Sequence, residues 1–515
     1  MGKGLIKNLA YLKDNLSDSC DLKVHPLEFG PKDQWSGAMV FIEGMVDNGK
    51  ITDGILRPLK DWRPEGKMPA PGDGLINELA KKVICAGSVK PVASLGDVML
   101  ECLSGNTAVL VDGCATGLII GTKGWEKRSV SEPQSETVIR GPREGFTENI
   151  CNNTALVRRK IRSGRLHVEN LIVGRRSQTD VRLMYLEDVA SHKVVAEVKK
   201  RLDRLDVDAI LESGYIEEYI EDAPFSPFST VGYSEKPDVI AAQILEGRVA
   251  ILVDGTPFVL TAPMLFIESF QTTEDYYTRP LYASLVRMLR FVGYLITIFA
   301  PALYIALTSF HQEFIPTTLL FSIANAREGT PFPVLLETLG MVFAFEILRE
   351  AGIRLPRPVG QAISIVGALV MGDAAVSAGL VGAPVVITVA ITAVASFLVP
   401  AQNDAASVLR VVMMILASFT GWYGISMGAL AVLMHLGSLN SFGVPYFNGL
   451  AWTRDQEDTI VRMPLWFMIR RPQGIPENNE VRSRFFIPDF RPHEARDEDD
   501  EDEQWEGHKE KGAGA

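Results

Sequence analysis

Between Phe291 and Ala451 the sequence contains no lysine, five arginines and seven acidic residues, or 12 charges in 161 positions. The whole chain of 515 residues carries 51 basic and 63 acidic side chains, so the remainder is charged like an ordinary soluble protein. A stretch so poor in charge excludes a water-facing surface and implies lipid as its solvent. Cysteine is scarce too. Cys20, Cys85, Cys102, Cys114 and Cys151 all precede that stretch, are odd in number and show no C-x-x-C spacing. This argues against a disulfide framework or a zinc site and suits free thiols in a reducing compartment. A net charge of −12 without a basic stripe argues against nucleic-acid binding. P-loop, G-x-G-x-x-G, G-x-S-x-G and H-E-x-x-H motifs are all missing, and the seven histidines are scattered, so the reading is of a non-enzyme with no cofactor and no metal. The N-terminus has no apolar core for a secretory signal, and Ile6 stands where myristoylation wants Ser or Thr. The first 280 or so residues are therefore expected to stay on the side of synthesis.

That leading part alternates strand-like and helix-like signals and repeats itself. Thr107–Ile120 reads TAVLVDGCATGLII and Arg248–Thr261 reads RVAILVDGTPFVLT, which puts Asp112-Gly113 and Asp254-Gly255 at matching points 142 residues apart. FIEGMV at Phe41 is echoed by YLEDVA at Tyr185, 144 residues on, and a helical pattern follows each. Two matches at nearly one offset predict two α/β subdomains of similar topology, 22–124 and 150–275, joined by a polar, Pro/Gly-containing linker over 125–149. Asp-Gly between apolar runs predicts type I′ hairpins, a structural role for both pairs.

The charge-poor part is read as an α-helical transmembrane bundle over 285–450 with four to five crossings. Phe291–Ser309 is the clearest span and contains Pro301; Val385–Val399 and one long span from Val408 to Leu436 follow. Val334–Leu348 and Val359–Leu380 are less uniform, because they contain Glu337, Glu346, Gln361 and Asp373. Arg279, Arg287 and Arg290 before the first span, and Arg349, Arg354 and Arg357 after the second, put the soluble part in the cytoplasm. Five crossings would leave Arg454, Arg462, Arg470 and Arg471 outside, against the positive-inside rule, and this favours four full crossings or an interfacial segment. Residues 451–515 form a polar C-terminal region ending in DEDDEDE, Asp497–Glu503, where like charges predict disorder.

An ionisable group at the bilayer centre costs roughly 2.5–3.5 kcal/mol, so it faces a partner or water. Glu337, Glu346 and Asp373 are therefore candidate ion-pathway residues, with a structural ion pair as the competing reading. Ser364, Ala368 and Gly372, and likewise Gly424 and Gly428, carry small residues at four-residue spacing, a pattern that lets helix backbones approach closely.

Several long strings resemble the A subunits of the GerA-type spore germinant receptors. They are GPREGFTENICNNTALVRRKIRS from Gly141, VGRRSQTDVRLMYLEDVA from Val173, LEGRVAILVDGTPFVL from Leu245, AREGTPFPVLLETLGMVFAFEILREAGIRLPRPVGQ from Ala326 and HLGSLNSFGVPYF from His435. The resemblance spans about residues 22 to 450; AQNDAAS at 401–407 and the acidic tail depart from it. It implies a subunit of a nutrient receptor in the spore inner membrane, a homo-oligomer (a pentamer) forming a monovalent-cation channel, with a transporter-like B subunit and a lipoprotein C subunit as partners. Two alternatives stand beside it. One is the related A-like protein encoded with the dipicolinate-channel genes. The other is a secondary transporter with a regulatory domain, which the placement of the repeat in the soluble part disfavours.

Overall fold

The computed structural model describes all residues except 65–69, 125–132, 134–135, 137, 355–369, 449–456, 478 and 484–515. The leading part contains two five-stranded antiparallel sheets. In the first, β1 (Leu22–Phe29), β2 (Trp35–Ile42), β3 (Val89–Val92), β4 (Thr107–Val111) and β5 (Gly117–Ile120) lie in the order β1-β2-β4-β5-β3. In the second, β6 (Leu166–Val173), β7 (Thr179–Leu186), β8 (Gly232–Ser234), β9 (Val249–Val253) and β10 (Val259–Ala262) lie in the order β6-β7-β9-β10-β8. The two spatial orders are identical.

Both sheets are covered on both faces, which is why their central strands read as unbroken apolar runs rather than alternations. Along β4, Val109 and Val111 face a core shared with the short helices α2 (Asn48–Ile51), α3 (Arg57–Asp61) and α4 (Asp73–Glu78). Ala108 and Leu110 face the opposite core, with α1 (Leu5–Asn15) and α5 (Leu95–Leu103). In the second sheet, Ile251 and Val253 meet α7 (His192–Asp203) and α8 (Ser213–Ile220). Ala250 and Leu252 meet α6 (Ile150–Lys160) and α9 (Pro237–Leu245).

The Asp-Gly pairs do more than turn the chain, and they do not form type I′ hairpins. Five residues separate the strands in each case, and only the glycines have positive φ, +80° at Gly113 and +90° at Gly255. The aspartates instead hold the opening helix of their own repeat. Asp112 Oδ1 accepts from Leu5 N at 2.9 Å, and Asp254 Oδ1 accepts from Ile150 N at 3.0 Å. These are the first residues of α1 and α6, whose N–H groups have no partner within the helix. Gly113 N and Gly255 N complete the motif on Lys3 O and Glu148 O, at 2.9 and 2.8 Å. Each repeating unit thus begins at its helix, so the first starts ahead of residue 22. The two units are locked by a buried pair: Arg158 Nε and Nη2 reach Asp21 Oδ2 and Oδ1 at 2.7 and 2.9 Å.

After α10 (Thr273–Tyr277) the chain enters the helices α11 (Pro280–Ser309), α12 (Thr317–Arg327), α13 (Val334–Arg354), α14 (Ala383–Ser396), α15 (Asn403–Thr420) and α16 (Trp422–Ser438), with a further helical stretch at 370–377. Among the described residues two helical segments are long and apolar enough to cross a membrane, Pro280–Ser309 and Pro400–Thr420; Ala383–Ser396 is apolar but shorter. The long span expected from Val408 to Leu436 is not one helix. Gly421, at φ +61° and ψ −134°, ends α15 and folds α16 back antiparallel along it. A Cβ at Gly421 would lie 2.8 Å from His311 Cε1 and 2.9 Å from Phe310 Cβ, so only glycine fits this turn against the end of α11.

The return matters for direction. Gln402, before α15, donates to Ser269 Oγ at 2.8 Å, and His435, near the end of α16, lies 2.9 Å from Ser226 Oγ. Both ends of the hairpin therefore sit against the second α/β unit. The segment after it stays there: Glu477 accepts from His192 N at the start of α7, and Arg471 Nε donates to Leu245 O. The linker is held at the same level. Glu136 binds Ser234 Oγ at 2.7 Å, and Arg140 N donates to Glu274 Oε1 of α10 at 3.2 Å. The acidic run Asp497–Glu503 and Arg454 lie outside the described residues.

Two tests follow from the α/β part. Removing Asp21 strands a fully buried guanidinium, so Asp21→Ala should destabilise the α/β part by about 3–5 kcal/mol in urea unfolding of the full chain in detergent. Ser229 Oγ, with one proton, lies within 3.0 Å of Glu217, Glu221 and Val231 O, and burial pushes Glu217 up to about 7. A carboxyl that binds its proton more tightly when folded stabilises the fold at low pH. That contribution fades as pH rises from the unfolded value near 4.5 through 7. Glu217→Gln should accordingly raise the melting temperature at pH 8 and leave it nearly unchanged at pH 5.

Candidate functional site in the helical bundle

Proline has no N–H, so Pro301 inside α11 leaves the carbonyl of Thr297, four residues earlier, without its helical partner. In an apolar bundle that orphan costs free energy unless another donor reaches it. Arg410 of α15 does so: its Nε donates to Thr297 O at 3.0 Å, and the residue is only 2% exposed. Its Nη1 lies 2.9 Å from Glu346 Oε1 of α13. Arg349 holds the other oxygen at 2.5 Å and also donates to Asn403 Oδ1 at 2.9 Å. One network therefore ties α11, α13 and α15 together around a carboxylate neutralised from two sides. Arg349 neutralises Glu346 and leaves Glu350 to Arg354 at 2.6 Å, a division that spacing alone does not reveal.

Glu337 sits at the other end of α13, fully buried. One carboxylate oxygen accepts from Gly382 N, the residue capping the start of α14, and the other lies 3.5 Å from Arg327 Nε. A carboxylate at a helix N-terminus complements the dipole of the free N–H groups there. Glu337 and Glu346 thus face different helices, as their nine-residue separation predicts. Asp373 is exposed in the 370–377 helix and joins neither network.

The small residues serve contacts within the chain. A Cβ at Gly424 would stand 2.3 Å from Leu416 O, and one at Gly428 would stand 2.7 Å from Met413 Sδ, so these glycines let α16 lie directly on α15. Gly372 is buried, and a Cβ there would meet Val386 of α14 at 3.3 Å; Ser364 and Ala368 lie outside the described residues.

A second cluster joins the bundle to the α/β part. Asp275 of α10, 2% exposed, accepts from Arg287 Nε at 2.9 Å and from Arg290 Nη1 at 2.9 and 3.0 Å, both on α11. Arg287 Nη1 also reaches Asp458 Oδ1 at 2.8 Å, and Tyr276 donates to the other Asp458 oxygen at 2.7 Å. Two of the three arginines that mark orientation in the sequence are thus spent on a buried joint, while Arg279 remains exposed. Sequence reasoning missed Arg410, Asp275 and Asp458. The signal available for Arg410 was Pro301, which creates the carbonyl that Arg410 fills.

Two α/β repeats built on antiparallel sheets and joined to a charge-pinned bundle of apolar helices suit a membrane protein with a large part outside the bilayer. Residues 10–474 match the family described as Bacillus/Clostridium GerA spore germination protein, and the chain belongs to that family. It is 44% identical to spore germination protein KA of Bacillus subtilis (strain 168), over 93% of this chain and 88% of that one. It is 43% identical to the uncharacterized membrane protein YfkQ of the same organism, over 92% and 91%. Among solved structures it resembles the N-terminal domain of the A subunit of the Bacillus megaterium spore germinant receptor GerK3. That match has 35% identity and a TM-score of 0.42, covering 52% of this chain and 97% of that one.

The Pro301–Arg410 relation is testable by a double-mutant cycle. Arg410→Met should cost more beside Pro301 than beside Pro301→Ala, which restores the N–H that Thr297 O lacks. A coupling of about 0.5–3 kcal/mol in thermal unfolding of the detergent-solubilised protein is expected.

Proposed function

We propose that this chain is the A subunit of a spore germinant receptor, oligomerising as a pentamer into a nutrient-gated channel for monovalent cations. A transporter-like B subunit and a lipoprotein C subunit complete the complex in the spore inner membrane, with the α/β repeats on the cytoplasmic side. The observation that carries the reading is membership of the GerA family over residues 10–474. Of the four to five crossings expected, α11, α13, α15 and α16 make four, at about 1.5 Å per residue against ~30 Å of hydrocarbon. α14 spans 14 residues, about 21 Å, and runs from Gly382, beside Glu337 at the far end of α13, toward Gln402 on the α/β side; it is too short to count among these four. Four crossings return Arg462, Arg470 and Arg471 to the cytoplasmic side and remove the conflict with the positive-inside rule.

In this reading Glu337, Glu346 and Asp373 line the cation path. Arg410 and Arg349 compensate the charge of Glu346 at rest, and opening requires the Glu346–Arg410 pair to part. Liposomes containing the purified complex, loaded with K⁺ and exposed to germinant, provide the test. Germinant-triggered K⁺ efflux is expected, and Arg410→Gln should raise the leak without germinant. Absence of flux under every trigger would remove the channel reading.

A further inference from the structure

A cavity of about 70 Å³ lies where the second α/β unit, the 266–270 turn and the C-terminal segment meet. It is lined by Glu246, Arg248, Glu268, Arg470, Arg471 and Arg482 among others, with Asp458 on the wall nearest α11. One water needs roughly 10–15 Å³ of such volume, so the space admits a small polyatomic molecule.

The charges on its wall are unequally spent. Arg248 holds both acidic neighbours, Glu268 at 2.6 Å and Glu246 at 3.1 Å, and Arg482 adds a contact to Glu246 at 3.4 Å. Asp458 is committed to Arg287, while Glu457 on the same wall has no ion pair among the described residues. The basic side has donors left over. Arg471 spends its hydrogen bonds on the backbone oxygens of Leu245, Asn479 and Val481 and on the Asn479 side chain. Neither it nor Arg470 has a carboxylate within 4 Å among the described residues. Most telling is Arg248 itself: it is 3% exposed, and its Nε–H has no hydrogen-bond partner. A buried, charged donor left unpaired costs free energy that an incoming acceptor would recover.

We infer that this cavity is a binding site for a small oxyanion, received by Arg248 Nε and the guanidinium groups of Arg470 and Arg471. Burial supports this by raising Glu268 to about 7, so near neutrality that carboxyl is partly protonated and repels an anion less. Asp458 links the site to the first long helix: one side borders the cavity and its carboxylate binds Arg287 of α11. An anion drawn to these arginines bears directly on the joint between the α/β part and the bundle. The inference stands independently of whether the bundle conducts ions.

The test uses the full-length protein in detergent, titrated calorimetrically with sulfate and separately with acetate, each against chloride at equal ionic strength. Binding of at least one, with a Kd on the order of 10 mM or tighter, is expected. The stronger of the two tells a phosphate-like ligand from a carboxylate. Arg470→Gln, at an exposed position that folding does not need, should weaken binding roughly tenfold. Arg248→Lys, which keeps the charge but removes Nε–H, should weaken it similarly, while Arg354→Gln on α13 should not. Failure of both anions to bind, or affinity unchanged in Arg470→Gln, overturns the inference.

Discussion

Asp275 is the buried charged joint between the α/β part and the first long helix. Its carboxylate, buried between α10 and α11, is the shared acceptor for Arg287 and Arg290 and also caps its own short helix through Thr272 N at 3.2 Å. Buried ion pairs gain little over apolar packing, but losing one partner leaves a charge stranded at a cost of several kcal/mol. The arrangement therefore acts as a rigid coupling: α10 and the start of α11 move together or the pairs break. Asp458 adds the C-terminal segment to the same joint.

A comparable economy governs the bundle. Pro301 breaks one backbone hydrogen bond in α11, and the group that repairs it, Arg410, is also the group that neutralises Glu346. Repair of the orphaned carbonyl, interhelical contact and charge compensation are one arrangement rather than three. Gly421 then sends the chain back towards the α/β part, so that His435, Ser441 and Phe442 dock on the second repeat. Ser441 Oγ donates to Thr230 O at 2.7 Å and accepts from Met264 N at 3.0 Å.

The duplication was legible because it lies in strand and turn patterns that repeat at one offset, and the apolar spans were legible because lipid demands composition. The Asp-Gly pairs drew attention for the right residues and the wrong reason. Turn chemistry is local, whereas the contacts of Asp112 with Leu5 and Asp254 with Ile150 join residues about a hundred positions apart, and no local pattern carries that information. The break at Gly421 was hidden for a similar reason. Glycine is common in membrane helices, and only the close approach of Phe310 and His311 makes this one a turn. Glu337 and Glu346 stood out as acids in apolar helices, but their partners sit on other elements: Gly382 and Arg327 for one, Arg410 for the other.

On the proposed receptor-channel reading, cation release from spores carrying Asp275→Asn in place of the native residue tests the coupling most directly, with the abundance of this protein measured in parallel. If the buried joint transmits the signal, release after germinant addition slows by roughly tenfold or more while the protein remains in the membrane at its normal level. Release at the wild-type rate from a stably present Asp275→Asn protein would contradict the account.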